Sequence, residues 1–186
     1  MRSEKENHGQ VEMRKLKIID IKTYLVNANA TNIVANPRGR LWLFVKIYTD
    51  EGVIGVGEGG CWSWLAEKAL QEFKPFLIGE DPFNTEKIWY KLHIDMTGFG
   101  HYPLGRLQGG VLSGIDTALW DIKGKALGKP VYDLLGGKFR DRIEVYGHAS
   151  TPKAAQKLID RGYKGFKCQP SVKVIKELRE AVGYDV

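Results

Sequence analysis

Gly114-Ile115-Asp116-Thr117-Ala118-Leu119-Trp120-Asp121-Ile122-Lys123-Gly124-Lys125-Ala126-Leu127-Gly128-Lys129-Pro130, followed by Leu134-Leu135-Gly136-Gly137, is the stretch on which the fold turns. Its apolar residues recur at helical spacing. Traced back to Arg106, the residues Leu107, Val111, Ile115, Leu119, Ile122 and Ala126 form one stripe, which predicts a long amphipathic helix over 106–127. Gly128 and then Pro130 supply the stop. Gly110 and Gly114 cost helix propensity, and close approach of another element accounts for them better than chemistry does. Val131 to Leu135 reads as a short helical turn ended by Gly136-Gly137.

Upstream the period changes to two. Lys15 to Val26 reads as a strand with Ile19, Ile21, Thr23 and Leu25 on one face. Asn27 to Arg40 is a loop. Leu41 to Thr49 is a second strand, with Leu41, Leu43, Val45 and Ile47 on one face. Asp50-Glu51-Gly52 is a tight turn in which Gly52 takes positive φ, and Val53 to Glu58 closes an antiparallel hairpin. Gly55-Val56-Gly57-Glu58-Gly59-Gly60 matches the dinucleotide pattern G-x-G-x-x-G. That motif needs the first strand and helix of a βαβ unit, whereas these glycines finish a hairpin, and Glu58 stands where a pyrophosphate would lie. The match is read as chance. Two helices follow: Trp64 to Ile78, with Leu65, Ala69, Phe73 and Phe76 apolar, and Asn84 to Met96, with Ile88, Trp89, Leu92 and Met96 apolar.

Downstream of the long helix the rhythm is strand, helix, strand, helix. Arg142 to Ala149 is a strand. Thr151 is an N-cap with Pro152 at the first helical position, and Gly162 closes that helix. Tyr163 to Gln169 is a strand and Val172 to Val182 a helix. This is the βα series of a parallel sheet. Two such strands leave their outer edges unpaired, so the 186-residue chain alone is expected neither to fold cooperatively nor to be active.

Composition narrows the class. The chain is 43% hydrophobic and 27% charged. It has no run of about 18 apolar residues that would span a membrane. Residues 1–14 are polar and aperiodic and read as a disordered tail without the apolar core of a secretory signal. Cys61 and Cys168 form no CxxC, which fits a cytoplasmic enzyme with free thiols. The net charge of +6 is dispersed among acidic residues, with no basic run interleaved with aromatics, so neither nucleic acid nor a membrane is the expected partner.

Three strands, then helices, then a βα series, with the 114–137 stretch and the Thr49–Glu58 hairpin, resemble the mandelate racemase and muconate lactonising group of the enolase superfamily. The resemblance covers about residues 15–186. It implies an α/β fold: an α+β capping domain over 15–128, with a three-stranded antiparallel sheet plus helices, and from 129–186 the first βα units of a modified TIM barrel, incomplete here. A whole barrel of this kind takes about 200 residues or more.

Active sites of such barrels lie at the C-terminal strand ends. In this family the second barrel strand ends in K-x-K, and the matching stretch here is Lys167-Cys168-Gln169. Lys167 matches the first lysine, a catalytic candidate that could neutralise a substrate carboxylate or its intermediate. Gln169 replaces the second. Losing that lysine removes the like-charge pair that brings an amine's pKa towards neutrality, which argues against lysine-pair racemases and cycloisomerases. Tyr146-Gly147-His148-Ala149 resembles the first-strand end of the family's gluconate, galactonate and mannonate dehydratases. The resemblance therefore implies Mg2+-dependent loss of water from a sugar acid, giving a 2-keto-3-deoxy acid. Gln169, His148, Arg38, Arg40 and Trp62 are the implied substrate-binding residues, with Cys61 and Trp64 beside them on the loops. The plainer readings are a solvated lysine and amide, a structural histidine, and tryptophans that pack domains. The family's metal carboxylates come later in the chain, and Asp185 is too early to be one. A homo-oligomer is expected of the full-length enzyme. A racemase, epimerase or cycloisomerase of the same superfamily, and a non-catalytic remnant or oligomerisation module, stay open as alternatives.

Overall fold

The computed structural model describes residues 15–27, 41–60, 63–95 and 106–184. They form two compact units, the first ending at Gly137 and the second starting at Lys138. The first holds β1 (Ile18–Asn27), β2 (Leu41–Thr49), β3 (Ile54–Gly59), α1 (Ser63–Leu77), α2 (Thr85–Tyr90, running on as a π-helical turn over Lys91–Asp95), α3 (Arg106–Leu127) and α4 (Val131–Leu134). The second holds β4 (Gly147–His148), α5 (Pro152–Asp160), β5 (Phe166–Lys167) and α6 (Val172–Val182).

In the first unit the sheet order is β1-β2-β3, antiparallel throughout. The turn between β2 and β3 forms as its residues dictate: Gly52 has φ +79° and donates its N–H to the Thr49 carbonyl at 3.1 Å. Leu43, Val45 and Ile47 of β2 are fully buried, as their alternation predicts. On β1 the alternation fails. A register shift between Ile18 and Asp20 puts Ile18 inside and leaves Ile19 55% exposed, whereas Ile21 keeps the inner face. An extra residue in one strand flips every side chain on one side of it, and no propensity announces it.

Three helix faces also differ from their sequence patterns. The buried stripe of α1 is Ala66, Leu70, Phe73 and Leu77, while Leu65 and Phe76 are exposed. The helix carries apolar residues on two adjoining stripes, and the sheet selects between them. Trp89 of α2 is also largely exposed, and so is Ala126 at the end of α3. The rest of the described α3 stripe holds: Val111, Ile115, Leu119 and Ile122 are buried. Gly128, at φ +61°, ends α3 as a Schellman cap, with Lys129 N–H on the Gly124 carbonyl at 2.9 Å and Gly128 N–H on that of Lys125 at 3.3 Å.

The glycines of β3 and α3 form one seam. A Cβ on Gly55 would strike the Ala118 carbonyl oxygen, one on Gly57 that of Gly114, and one on Gly110 that of Gly60. Gly60 N–H also donates to the Gly110 carbonyl at 3.1 Å. Backbone lies against backbone here, which is why neither element tolerates a side chain. β3 is an edge strand, and α3 covers its edge. Val56 N–H donates to Asp121 Oδ2 at 2.8 Å, Lys125 Nζ donates to the Ile54 carbonyl at 2.7 Å, and the two side chains pair at 2.6 Å. This clamp satisfies polar groups that an open edge would offer to another chain.

In the second unit β4 and β5 pair in parallel, as the βα rhythm predicts. Both strands are shorter than their sequence patterns. Ladder pairing covers only Gly147–His148 and Phe166–Lys167, and Ile143 and Val145 are 74% and 65% exposed. Parallel strands are held by neighbours on both sides, and among the described residues each has one. Thr151 caps α5 as predicted, its Oγ1 accepting from Ala154 N–H at 3.3 Å, and Gly162 follows that helix at φ +85°. No helix among the described residues is long and apolar enough to cross a membrane.

Candidate functional site

The C-terminal ends of β4 and β5 bring His148 and Lys167 together. The two are register partners in the parallel ladder, fixed by Ala149 N–H donating to the Lys167 carbonyl at 3.0 Å. Which way they face follows from their neighbours. A Cβ on Gly147 would run into Leu158 of α5, and Ala149, Phe166 and Cys168 pack with Ala155 and Leu178 against the helices. Side chains alternate along a strand. His148, Lys167 and Gln169 therefore share the opposite face, and all three are exposed. Cys168, between Lys167 and Gln169, is a free, half-buried thiol turned to the helix layer, which gives it a packing role.

This face offers an ammonium, an imidazole and a carboxamide. That donor set suits a carboxylate and neighbouring hydroxyls. It does not suit Mg2+, which takes hard oxygen ligands and would be repelled by the ammonium. No cluster of three metal-ligating side chains occurs among the described residues.

Of the other candidates, Arg38, Arg40, Cys61, Trp62 and Asp185 lie outside the described residues. Trp64 sits in the first turn of α1, 40% exposed. Charged residues of the signature stretch turn out to build rather than to react. Asp121 and Lys125 hold β3, and their i, i+4 spacing was the signal available in the sequence. Lys123 donates to buried Thr85 Oγ1 at 3.0 Å and lies over the Trp120 ring. Asp116, half-buried on α3, has its carboxyl pushed above the ordinary range by burial and by the charge of Glu86, against a smaller pull from Lys123.

A three-stranded antiparallel sheet with helices on one face matches the N-terminal capping domain of the enolase superfamily, and parallel βα units follow it in the chain. Residues 21–136 match the family model described as mandelate racemase / muconate lactonizing enzyme, N-terminal domain, and the chain belongs to this family. It is 38% identical over 168 residues to a D-galactonate dehydratase of Pectobacterium atrosepticum, a match covering 78% of this chain and 43% of that protein. Among solved structures, the 3,6-anhydro-D-galactonate cycloisomerase of Zobellia galactanivorans superposes with TM-score 0.79 at 30% identity, over 91% of this chain and 49% of that one. An enolase of Pantoea ananatis with bound D-gluconate and Mg superposes with TM-score 0.73 at 29% identity, over 92% and 52%. The chain thus spans about half the length, or less, of the proteins it matches.

Proposed function

We propose that the protein carrying this chain dehydrates a sugar acid of the galactonate or gluconate type to a 2-keto-3-deoxy acid. The observation that carries the reading is the register pairing of His148 and Lys167 on the strand face turned away from the helices. The names of the relatives support the substrate class.

In this reading Lys167 pairs its ammonium with the substrate carboxylate. Removal of the α-proton spreads negative charge onto that carboxylate as an enediolate, so the same ammonium binds the transition state more strongly than the ground state. Gln169 and His148 hydrogen-bond substrate hydroxyls and fix which carbon faces the base. A base takes the proton from C2, an acid gives one to the C3 hydroxyl as it leaves as water, and the enol product tautomerises to the ketone. The base belongs to residues other than those described here. So do the ligands of the Mg2+ that this reading assigns to the whole protein, and no step above is routed through the metal.

The test is a panel of D-galactonate, D-gluconate and D-mannonate with the native polypeptide, assayed for 2-keto-3-deoxy acid. Turnover is expected on at least one acid. Lys167→Met is expected to lower kcat by about 100-fold or more, and Lys167→Arg to retain part of it. Epimer formation or α-hydrogen exchange with solvent, without loss of water, would turn the assignment to a racemase. Isomerisation to a lactone would turn it to a cycloisomerase. No reaction on any acid would leave the non-catalytic alternative.

A further inference from the structure

Loss of water from a sugar acid needs an acid for the departing hydroxyl. The three polar side chains on the open face of β4 and β5 differ in what they can give. Among the described residues, those of His148, Lys167 and Gln169 are exposed and held by no hydrogen bond, ion pair or ring contact. A carboxamide donates hydrogen bonds but releases no proton near neutral pH, which excludes Gln169. An ammonium serves a carboxylate best while it keeps its charge, which commits Lys167 to holding the anion. Imidazole is the side chain that gains and loses a proton between about pH 5 and 8, where a general acid works best.

Position points the same way. His148 and Lys167 are paired residues of neighbouring strands, and such strands lie about 4.8 Å apart. Gln169 stands two residues further along its own chain, about 6.6 Å in extended backbone. With the carboxylate on Lys167, His148 is the nearer of the two to the carbons beside that carboxylate, where the bonds break. Tyr146 has the same strand parity as His148 but precedes it. With Arg161 and Tyr163 it lines a hollow towards the opposite end of the strands, one that includes neither His148 nor Lys167. Glu144 lies in that hollow too, paired with Lys164 at 3.1 Å.

We infer that His148 is the acid of this reaction, its imidazolium giving the proton with which the C3 hydroxyl leaves. The inference rests on the dehydratase reading above. The base takes the C2 proton and leaves its electron pair in the enediolate. That pair becomes the C2–C3 double bond as the C3–O bond breaks and its electrons go to oxygen. The ring N–H of His148 transfers its proton to the same oxygen, and water departs. The imidazole is left neutral and takes a proton from solvent before the next turnover.

The test removes the need for the acid. Fluoride leaves without a proton, so a 3-deoxy-3-fluoro analogue of the accepted sugar acid requires the base and Lys167 but no acid. In the native polypeptide, His148→Asn is expected to lower dehydration of the sugar acid by about 100-fold or more. The same variant is expected to exchange the C2 hydrogen in deuterated solvent without losing water, and to release fluoride from the analogue within about tenfold of the wild-type rate. Lys167→Met is expected to lower both eliminations alike. Should His148→Asn impair folding, His148→Gln replaces it. Dehydration by the His148 variant within about tenfold of wild type would overturn the assignment. So would an equal loss of dehydration and fluoride release in a variant with unchanged far-UV circular dichroism, which would return His148 to substrate binding. A wild type that dehydrates no sugar acid would overturn the dehydratase reading itself, and this assignment with it.

Discussion

In the first unit β2 has a hydrogen-bonded neighbour on each side and helices on one face; in the second, among the described residues, β4 and β5 have only each other. The inner cluster of the first unit joins β1, β2, α1, α2 and α3, with Ile18, Leu43, Ile47, Leu70, Ile115 and Ile122 wholly enclosed. In the second unit the buried cluster is Ala149, Ala155 and Leu178. Both regions have the apolar patterning, caps and turn glycines of their elements. The difference is that the antiparallel sheet draws its neighbours from adjacent sequence, whereas a parallel strand needs a partner reached by a crossover. Local signals can be complete while the packing they serve is thin.

The seam glycines give the largest expected contrast. Gly57→Val would force a side chain into the Gly114 carbonyl, whereas Gly165 in the second unit meets nothing within 4 Å at its Cβ position. Gly57→Val is expected to cost about 4 kcal/mol or more, and Gly165→Ala to change stability by less than about 0.5 kcal/mol. Chemical denaturation followed by circular dichroism measures both. A tolerated Gly57→Val would mean that β3 and α3 can move apart, and that the first unit is not closed in the sense argued.

Core deletions separate the units next. Leu119→Ala is expected to cost about 2–5 kcal/mol and to lower protection of the β2 amides together. Leu178→Ala is expected to release the β4–β5 amides and leave β2 protected. Amide hydrogen exchange resolves the two. Loss of β2 protection in Leu178→Ala would show one cooperative structure in place of two.

Removing the edge clamp by Asp121→Ala takes away the acceptor of Val56 N–H and the partner of Lys125. A loss of about 1–2 kcal/mol is expected, with faster exchange at the Val56 amide and none at Gly147.

The smallest effect is a titration of the first unit. Lys91, then Lys87, hold the Glu80 carboxyl below its ordinary 4.5. The unfolded chain therefore binds that proton more tightly, and Glu80 contributes stability above about 4.5 that is lost as pH falls through its lower folded value. Glu80→Gln should flatten that acid limb. Asp116 has the opposite sign. Its raised carboxyl favours folding at low pH, and that contribution is lost as pH rises from 3.8 through the folded value. Asp116→Asn should raise stability at neutral pH and change nothing well below 3.8. Urea midpoints from pH 3 to 7 would show both.

Some of this was legible in the residues and some was not. α3 ends at the glycine its sequence supplies, and α6 spans the residues read for it, Val172–Val182. The Asp50–Gly52 turn and the Thr151 cap form from their own side chains. The inner face of α1 is not legible in its residues, because Leu65 and Phe76 are as apolar as Ala66 and Leu77, and only the sheet beneath chooses. At the candidate site, alternation along the chain was enough to place Lys167 and Gln169 on one face. Bringing His148 beside Lys167 took the register of two strands separated by a helix. The roles expected of Arg38, Arg40 and Trp62 fall outside the described residues.

By itself the sequence determined the order of elements, their caps and turns, and the family, because these rest on periodicity and on short-range backbone chemistry. The bulge in β1, the glycine seam, the clamp on β3 and the pairing of His148 with Lys167 were decided by the tertiary structure. Each depends on which surfaces come into contact, and contact between residues far apart in the chain is a property of packing that no local pattern encodes.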